Sequence, residues 1–211
     1  HPMIDKILQL FPIAVLSLFC FQLISLWMDQ LYKKNAGQLK TAARPSIKKY
    51  RWLLAPGFFG CLLWLGQTNS FPLFFRGAVA SIFLLAICTT DFEQQLIFDR
   101  MLFPFALLGL LLLPFSAIGF TDALLAGCIG GGAFLLLAVL THGAIGGGDI
   151  KLIFVLGLWL GTGQLYATIL IGLILGGLAA LLLLITRQRS RRDFFAYGPW
   201  FALPALYLLL G

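Results

Sequence analysis

Charge is scarce in this sequence, and acid is scarcer still. Charged residues fill 11% of the 211 positions, with 8 Asp or Glu against 15 Lys or Arg. Ordinary soluble domains carry roughly 25% charge. A chain this poor in polar groups cannot present a wetted surface all round, which excludes a soluble enzyme or binding module. Cysteine is thin too: Cys20, Cys61, Cys88 and Cys128 stand singly inside apolar runs. No two have zinc or redox spacing, so a disulfide scaffold and a zinc ribbon are excluded and packing roles are expected. Beyond His1, His142 is the sole histidine; with no partner to complete a metal site it reads as structural or interfacial. No fixed-period repeat is present, which excludes a solenoid.

Hydrophobic residues are plentiful, at 60% of the chain. A bilayer needs about 20 mostly apolar residues per helix. Runs approaching or reaching that length cover 7–28, 52–66, 71–89, 102–119, 122–140, 150–160, 164–185 and 194–210. The expectation is an all-α, polytopic transmembrane helix bundle of about eight spans, folded as a single domain over 1–211. The second and sixth runs are short and need interfacial residues or neighbouring helices at their ends; seven spans is the alternative count.

Positive charge marks the cytoplasmic side. Lys33, Lys34, Lys40, Arg44, Lys48, Lys49 and Arg51 crowd the segment after the first run, and Arg187, Arg189, Arg191 and Arg192 the segment before the last. Alternation then puts 91–100 and 142–151 on that same side, with 67–70, 120–121, 161–163 and both termini outside. The basic clusters read as topological, so the bilayer is an expected partner and nucleic acid is not. Met3 reads as the natural start, and the first run, too long for a signal-peptide core, as a retained helix.

With so few acids, each placement is informative. Asp5, Asp29, Asp122 and Asp193 lie at span ends, where solvation is cheap. Asp91, Glu93 and Asp99 stand in "TTDFEQQLIFDR" and Asp149 in "GGGDIKL", each against an apolar run. Carboxylates at membrane depth are costly and commonly functional. Asp91 ends a helix descending to the cytoplasm and Asp149 begins one leaving it, so the two meet at one level. Paired carboxylates share a proton: one can activate water as a base while the other donates to a developing oxyanion. Gly146, Gly147 and Gly148 permit positive φ and a close substrate approach. Asp149 suits an N-cap, and the helix N-terminus with nearby Lys151 favours its ionised form, hence the base role. The alternative is a flexible turn with a capping residue.

Three segments together, "TDFEQQLIFD" (90–99), "GGGDIKL" (146–152) and "FAYGPWFAL" (195–203), resemble the bacterial type IV prepilin peptidases, membrane aspartyl proteases of the Gly-x-Gly-Asp type. The resemblance runs from about Val79 onward. It implies Asp91 and Asp149 as the catalytic pair, and prepilins and type II secretion pseudopilins as substrates, cut at the cytoplasmic face of the bacterial inner membrane. Such substrates carry a basic leader, which Glu93 and Asp99 are candidates to attract; Asp99 could equally pair with Arg100. Tyr197, Gly198, Pro199 and Trp200 are expected to shape the start of the last helix without taking part in catalysis.

The sequence departs from the family pattern twice. Phe98 stands where the family usually has proline, and 29–51 lacks the cysteines with which many members bind zinc. No metal is therefore expected. Cleavage needs no cofactor, and S-adenosylmethionine enters only if the chain also methylates the new N-terminus. Two other classes stand beside the peptidase. A proton-coupled carrier or channel would hold its acids nearer the midplane, and an inactive membrane scaffold would have no use for both aspartates.

Overall fold

The computed structural model describes residues 2–35, 51, 54–65, 70–186 and 197–210, with the side chains of 2–10, 183 and 184 left aside. Lys40, Arg44, Lys48, Lys49, residues 67–69, the four arginines of 187–192 and Asp193 lie outside the described residues, as does the side chain of Asp5. The fold is all-helical: α1 (Pro2–Lys34), α2 (Leu54–Leu65), α3 (Phe71–Gln94), α4 (Asp99–Leu111), α5 (Phe120–Leu140), α6 (Gly147–Ile185) and α7 (Gly198–Leu210). Helices satisfy every backbone group internally, as an apolar chain in lipid requires. Among the described residues, four helical stretches can cross a membrane by length and composition: Phe11–Lys34, Phe71–Gln94, Phe120–Leu140 and Gly147–Leu182.

Several expected boundaries move for identifiable reasons. The fourth apolar run extends to 119, but α4 stops at Leu111 and a short 3-10 turn, Leu113–Phe115, comes after it. Pro114 has no N–H to donate and disfavours α geometry in the residue before it. Phe98, the proline departure, is the N-cap of α4 in extended geometry (φ −82°, ψ 131°). The helix start is therefore kept without proline, and the freed ring packs 5.8 Å from that of Tyr32.

α6 is two helices. A single rod of its length would be about 58 Å long, nearly twice the roughly 30 Å of a hydrocarbon core. At Gly161 the backbone leaves helical geometry (φ 68°, ψ 179°). The packing of α5 reveals the outcome of that break: a methyl on Gly130 would touch both Leu165 (2.8 Å) and Ile153 (3.2 Å). Residues before and after the break thus lie side by side, and 162–185 runs back along 147–160. This is the reversal expected at 161–163.

The break is closed by charge. Arg76 of α3 donates to the Trp159 carbonyl, two residues before the break, with its guanidinium 5.4 Å over the Trp159 ring. Across the break, Asp122 accepts from the Thr162 hydroxyl (2.6 Å) and backbone N–H (3.3 Å), capping the second half. Asp122 is therefore an internal cap and not a bland span end. Arg76, a cation alone in an apolar run, is buried for the same purpose. A side chain at Gly161 would collide with the Asp122 carboxylate in a backbone region that disfavours it. Gly161→Ala is accordingly expected to destabilise the protein by about 2 kcal/mol or more. Gly163→Ala, with open space around it, should be near neutral; thermal unfolding in lipid nanodiscs compares the two.

Glycines also set the α5–α6 seam. Gly127 and Gly157 bring the two backbones into contact, leaving no room for a side chain on either. At the far end of the bundle Gly77 of α3 packs on Leu65 and Leu210. At the other end the starts of α4, α6 and α7 gather around the last turn of α3, and Asp91, Glu93, Asp99 and Asp149 are there.

Candidate active site

Asp91 lies on the last turn of α3, buried at 5% exposure. Its carboxylate accepts a 2.9 Å hydrogen bond from the backbone N–H of Gly198, the first residue of α7. A methyl on Gly198 would stand 2.6 Å from Asp91 Oδ2. Only glycine lets the helix start come this close, and its positive end points at the carboxylate. The "YGPW" segment thus holds Asp91 directly, going beyond the expected role of shaping the last helix. Its signal in the sequence is a glycine placed immediately before a helix-starting proline.

Asp149 is in the first turn of α6, half-buried, and lies within electrostatic reach of Asp91. The two carboxylates, expected at one level, stand at the same end of the bundle. Asp149 is not the N-cap, however. The Gly146 carbonyl accepts from Asp149 N–H (3.1 Å) and Ile150 N–H (3.3 Å), so the helix begins two residues earlier.

The glycine run also works otherwise than expected. Among described glycines only Gly143 and Gly161 have positive φ, so Gly146, Gly147 and Gly148 do not use that freedom. Helix formation starting at Gly147 keeps the last two in α geometry. Their value is the absent side chain: a methyl on Gly148 would stand 3.1 Å from Ile97, and one on Gly146 3.2 Å from Asp149 Oδ2. Gly147 faces open space. His142, exposed at φ 54°, belongs to the turn ending α5. The four cysteines are unpaired.

Lys151 does not serve Asp149. Its ammonium bridges both oxygens of Asp99 at 2.7 and 2.8 Å, on the exposed rim where α4 and α6 start. Arg100, the alternative partner for Asp99, gives way to a cation 52 positions away in sequence. Glu93 is not at the rim at all. It is buried, held by Arg51 through two hydrogen bonds (2.7 and 2.9 Å) and by the Tyr32 hydroxyl (2.8 Å). A carboxylate already satisfied in this way cannot attract a leader. Asp29, expected to be a solvated flank, also accepts from Arg51 at 2.8 Å. Burial alone would lower the Arg51 pKa, but the hydrogen bonds and charges of Glu93 and Asp29 hold it above its ordinary value. Among the described residues no cluster of three or more His, Cys, Asp or Glu could hold a metal ion.

Residues 78–181, which carry both aspartates, match the type IV leader peptidase family. The chain belongs to that family. Its relatives include proteins named prepilin leader peptidase/N-methyltransferase. That of Bacillus subtilis is 35% identical over 133 residues, covering 59% of this chain and 51% of the relative. That of Neisseria gonorrhoeae is 31% identical over 153 residues, covering 70% and 51%, and that of Pseudomonas putida 32% over 126 residues, covering 57% and 44%. The chain therefore spans about half the length of these curated relatives. No solved structure matches it. Family membership and the apolar helices together make this a membrane-integrated protein.

Proposed function

We propose that the chain is an aspartyl endopeptidase that removes the basic leader from type IV prepilins and type II secretion pseudopilins at the cytoplasmic face of the bacterial inner membrane. The observation that carries this reading is that Asp91 of α3, which takes the Gly198 N–H, and Asp149 of α6 lie close enough to interact electrostatically. Relatives named prepilin leader peptidase/N-methyltransferase support the substrate class.

In the proposed mechanism Asp91 is the base. A backbone N–H donated to a carboxylate favours its ionised form, and Lys151, the cation expected at Asp149, is engaged elsewhere. Asp91 takes a proton from the attacking water while Asp149, carrying the shared proton, donates to the oxygen of the scissile carbonyl. The pair titrates as one unit. Cleavage then requires no cofactor. S-adenosylmethionine enters the proposal only for methylation of the new N-terminus, the second activity in the relatives' names. Residues 36–50, the greater part of the cysteine-free loop, lie outside the described residues.

The bundle is proposed to cross the membrane eight times as one domain, α6 counting twice, with both termini outward and the two aspartates on the side of the basic segments. Asp99 on the rim remains as the acid for a basic leader: its bridge to Lys151 is solvent-exposed and exchangeable, unlike the buried hold on Glu93. Asp99→Asn is expected to raise KM for a leader-bearing peptide about threefold to tenfold, the range of a partly exposed charge contact, with kcat little changed. Steady-state cleavage against peptides with and without leader lysines measures this.

The experiment for the reading itself is incubation of the purified chain in lipid with a prepilin-type peptide, read by mass spectrometry. Loss of the leader supports the peptidase, and an added methyl mass on the product supports the second activity. An intact peptide across a panel of prepilin and pseudopilin sequences would count for a carrier or an inactive scaffold.

A further inference from the structure

Glu93 and Asp91 are two residues apart on one helix, and at about 100° per residue their side chains leave α3 in nearly opposite directions. Asp91 faces α7 and takes the Gly198 N–H. Glu93 faces away, toward α1, where Arg51 and Tyr32 hold it. The last turn of α3 is therefore gripped on both sides. Arg51 adds a third anchor through Asp29 and lies 5.4 Å over the Tyr32 ring. Arg51 is 6% exposed, Glu93 8% and Tyr32 7%, too buried for contact with a substrate at the rim.

We infer that Arg51 and Glu93 form a clamp that sets the rotation and depth of the α3 terminus, making them positioning residues for Asp91. A guanidinium fork on a carboxylate fixes direction as well as distance. A surface pair would be too loose for this, whereas a buried one with all partners matched has a single geometry. The α3 terminus needs such a hold, because the helix ends there with Gln95 in left-handed backbone (φ 53°), a conformation unfavourable for a residue with a side chain. Its N–H closes the last turn on the Asp91 carbonyl at 2.7 Å. The clamp also ties Arg51 to the helix end that carries the aspartate. The consequence for cleavage rests on the peptidase reading; the positional one does not.

The test reads position and rate separately. Tyr197–Gly198 is the one Tyr-Gly pair in the sequence, so ¹³C-carbonyl tyrosine with ¹⁵N-glycine labelling isolates a single amide signal in nanodiscs. That amide proton, bonded to Asp91, reports where the carboxylate sits without any substrate. Arg51→Lys keeps the charge and hence the fold but loses the fork, and Tyr32→Phe removes only the hydroxyl on Glu93. Both are expected to move the Gly198 signal, Arg51→Lys further. Arg51→Lys should lower kcat about tenfold, within what a small misplacement of a reacting group costs, with KM within about twofold. An unmoved Gly198 amide in both variants overturns the clamp. So does a moved amide with unchanged kcat, or a loss confined to KM. If the unaltered chain fails to cleave, the peptidase reading falls while the amide signal still decides the clamp.

Discussion

Asp91→Asn and Asp149→Asn are each expected to lower kcat for prepilin cleavage by about 10³-fold or more, toward the detection limit. Asparagine has nearly the shape of aspartate, and its side-chain oxygen at position 91 can still accept the Gly198 N–H, so the fold should survive. What disappears is the exchangeable proton. A dyad needs one carboxylate to take a proton and the other to give one, and an amide can do neither. The double variant should be no worse than either single one, because the two groups act as a unit. Asp122→Asn is the contrast. Its carboxylate caps the second half of α6 at the opposite end of the bundle, so thermal stability should fall while kcat stays. Single-turnover cleavage with parallel unfolding curves separates the cases; substantial activity in either Asp91→Asn or Asp149→Asn would remove that residue from the mechanism.

Gly198→Ala is expected to have the second-largest effect, lowering kcat about 10²-fold. The added methyl would stand 2.6 Å from Asp91 Oδ2 and 3.1 Å from its Cγ, so either the carboxylate or the start of α7 must give way. Either movement lengthens the 2.9 Å hydrogen bond that favours the ionised form. Displacing a reacting group by about 1 Å is enough for a loss of that size. Gly132→Ala in α5, where the added methyl meets nothing, should leave both kcat and stability close to those of the unaltered chain. Circular dichroism and cleavage rates on the two alanine variants test this; a fully active Gly198→Ala would show that the α7 start does not hold Asp91.

The sequence is most informative where one physical term dominates. Apolar runs with scarce charge can only be membrane helices, and the Gly161 reversal is legible because glycine and polar residues interrupt a run too long for one crossing. The meeting of Asp91 and Asp149 comes from alternation of direction, since each stands at a helix end on the same predicted side. Pairings between distant positions stay hidden. Arg51 reads in sequence as one more topological cation, yet it is consumed internally by Glu93, 42 residues away. Lys151 stands beside Asp149 in sequence and instead reaches Asp99. In both cases packing, not proximity along the chain, decides the partner. Arg76 carries a signal of its own, since an ionisable residue inside an apolar run is rarely idle, and here it marks the break in α6. The glycines before Asp149 suggest conformational freedom when their use is space, a distinction that depends on what packs against them, as Ile97 does on Gly148.

The central claim is that carboxylates from α3 and α6 share one site. The most direct measurement is cysteine crosslinking at positions 91 and 149, in a chain whose four native cysteines are replaced, using a short bifunctional thiol reagent in native membranes. An efficient 91–149 crosslink is expected, matching that of a 99–151 pair placed at the observed Lys151–Asp99 bridge, and none between 91 and 122. A 99–151 crosslink without a 91–149 crosslink would contradict the claim.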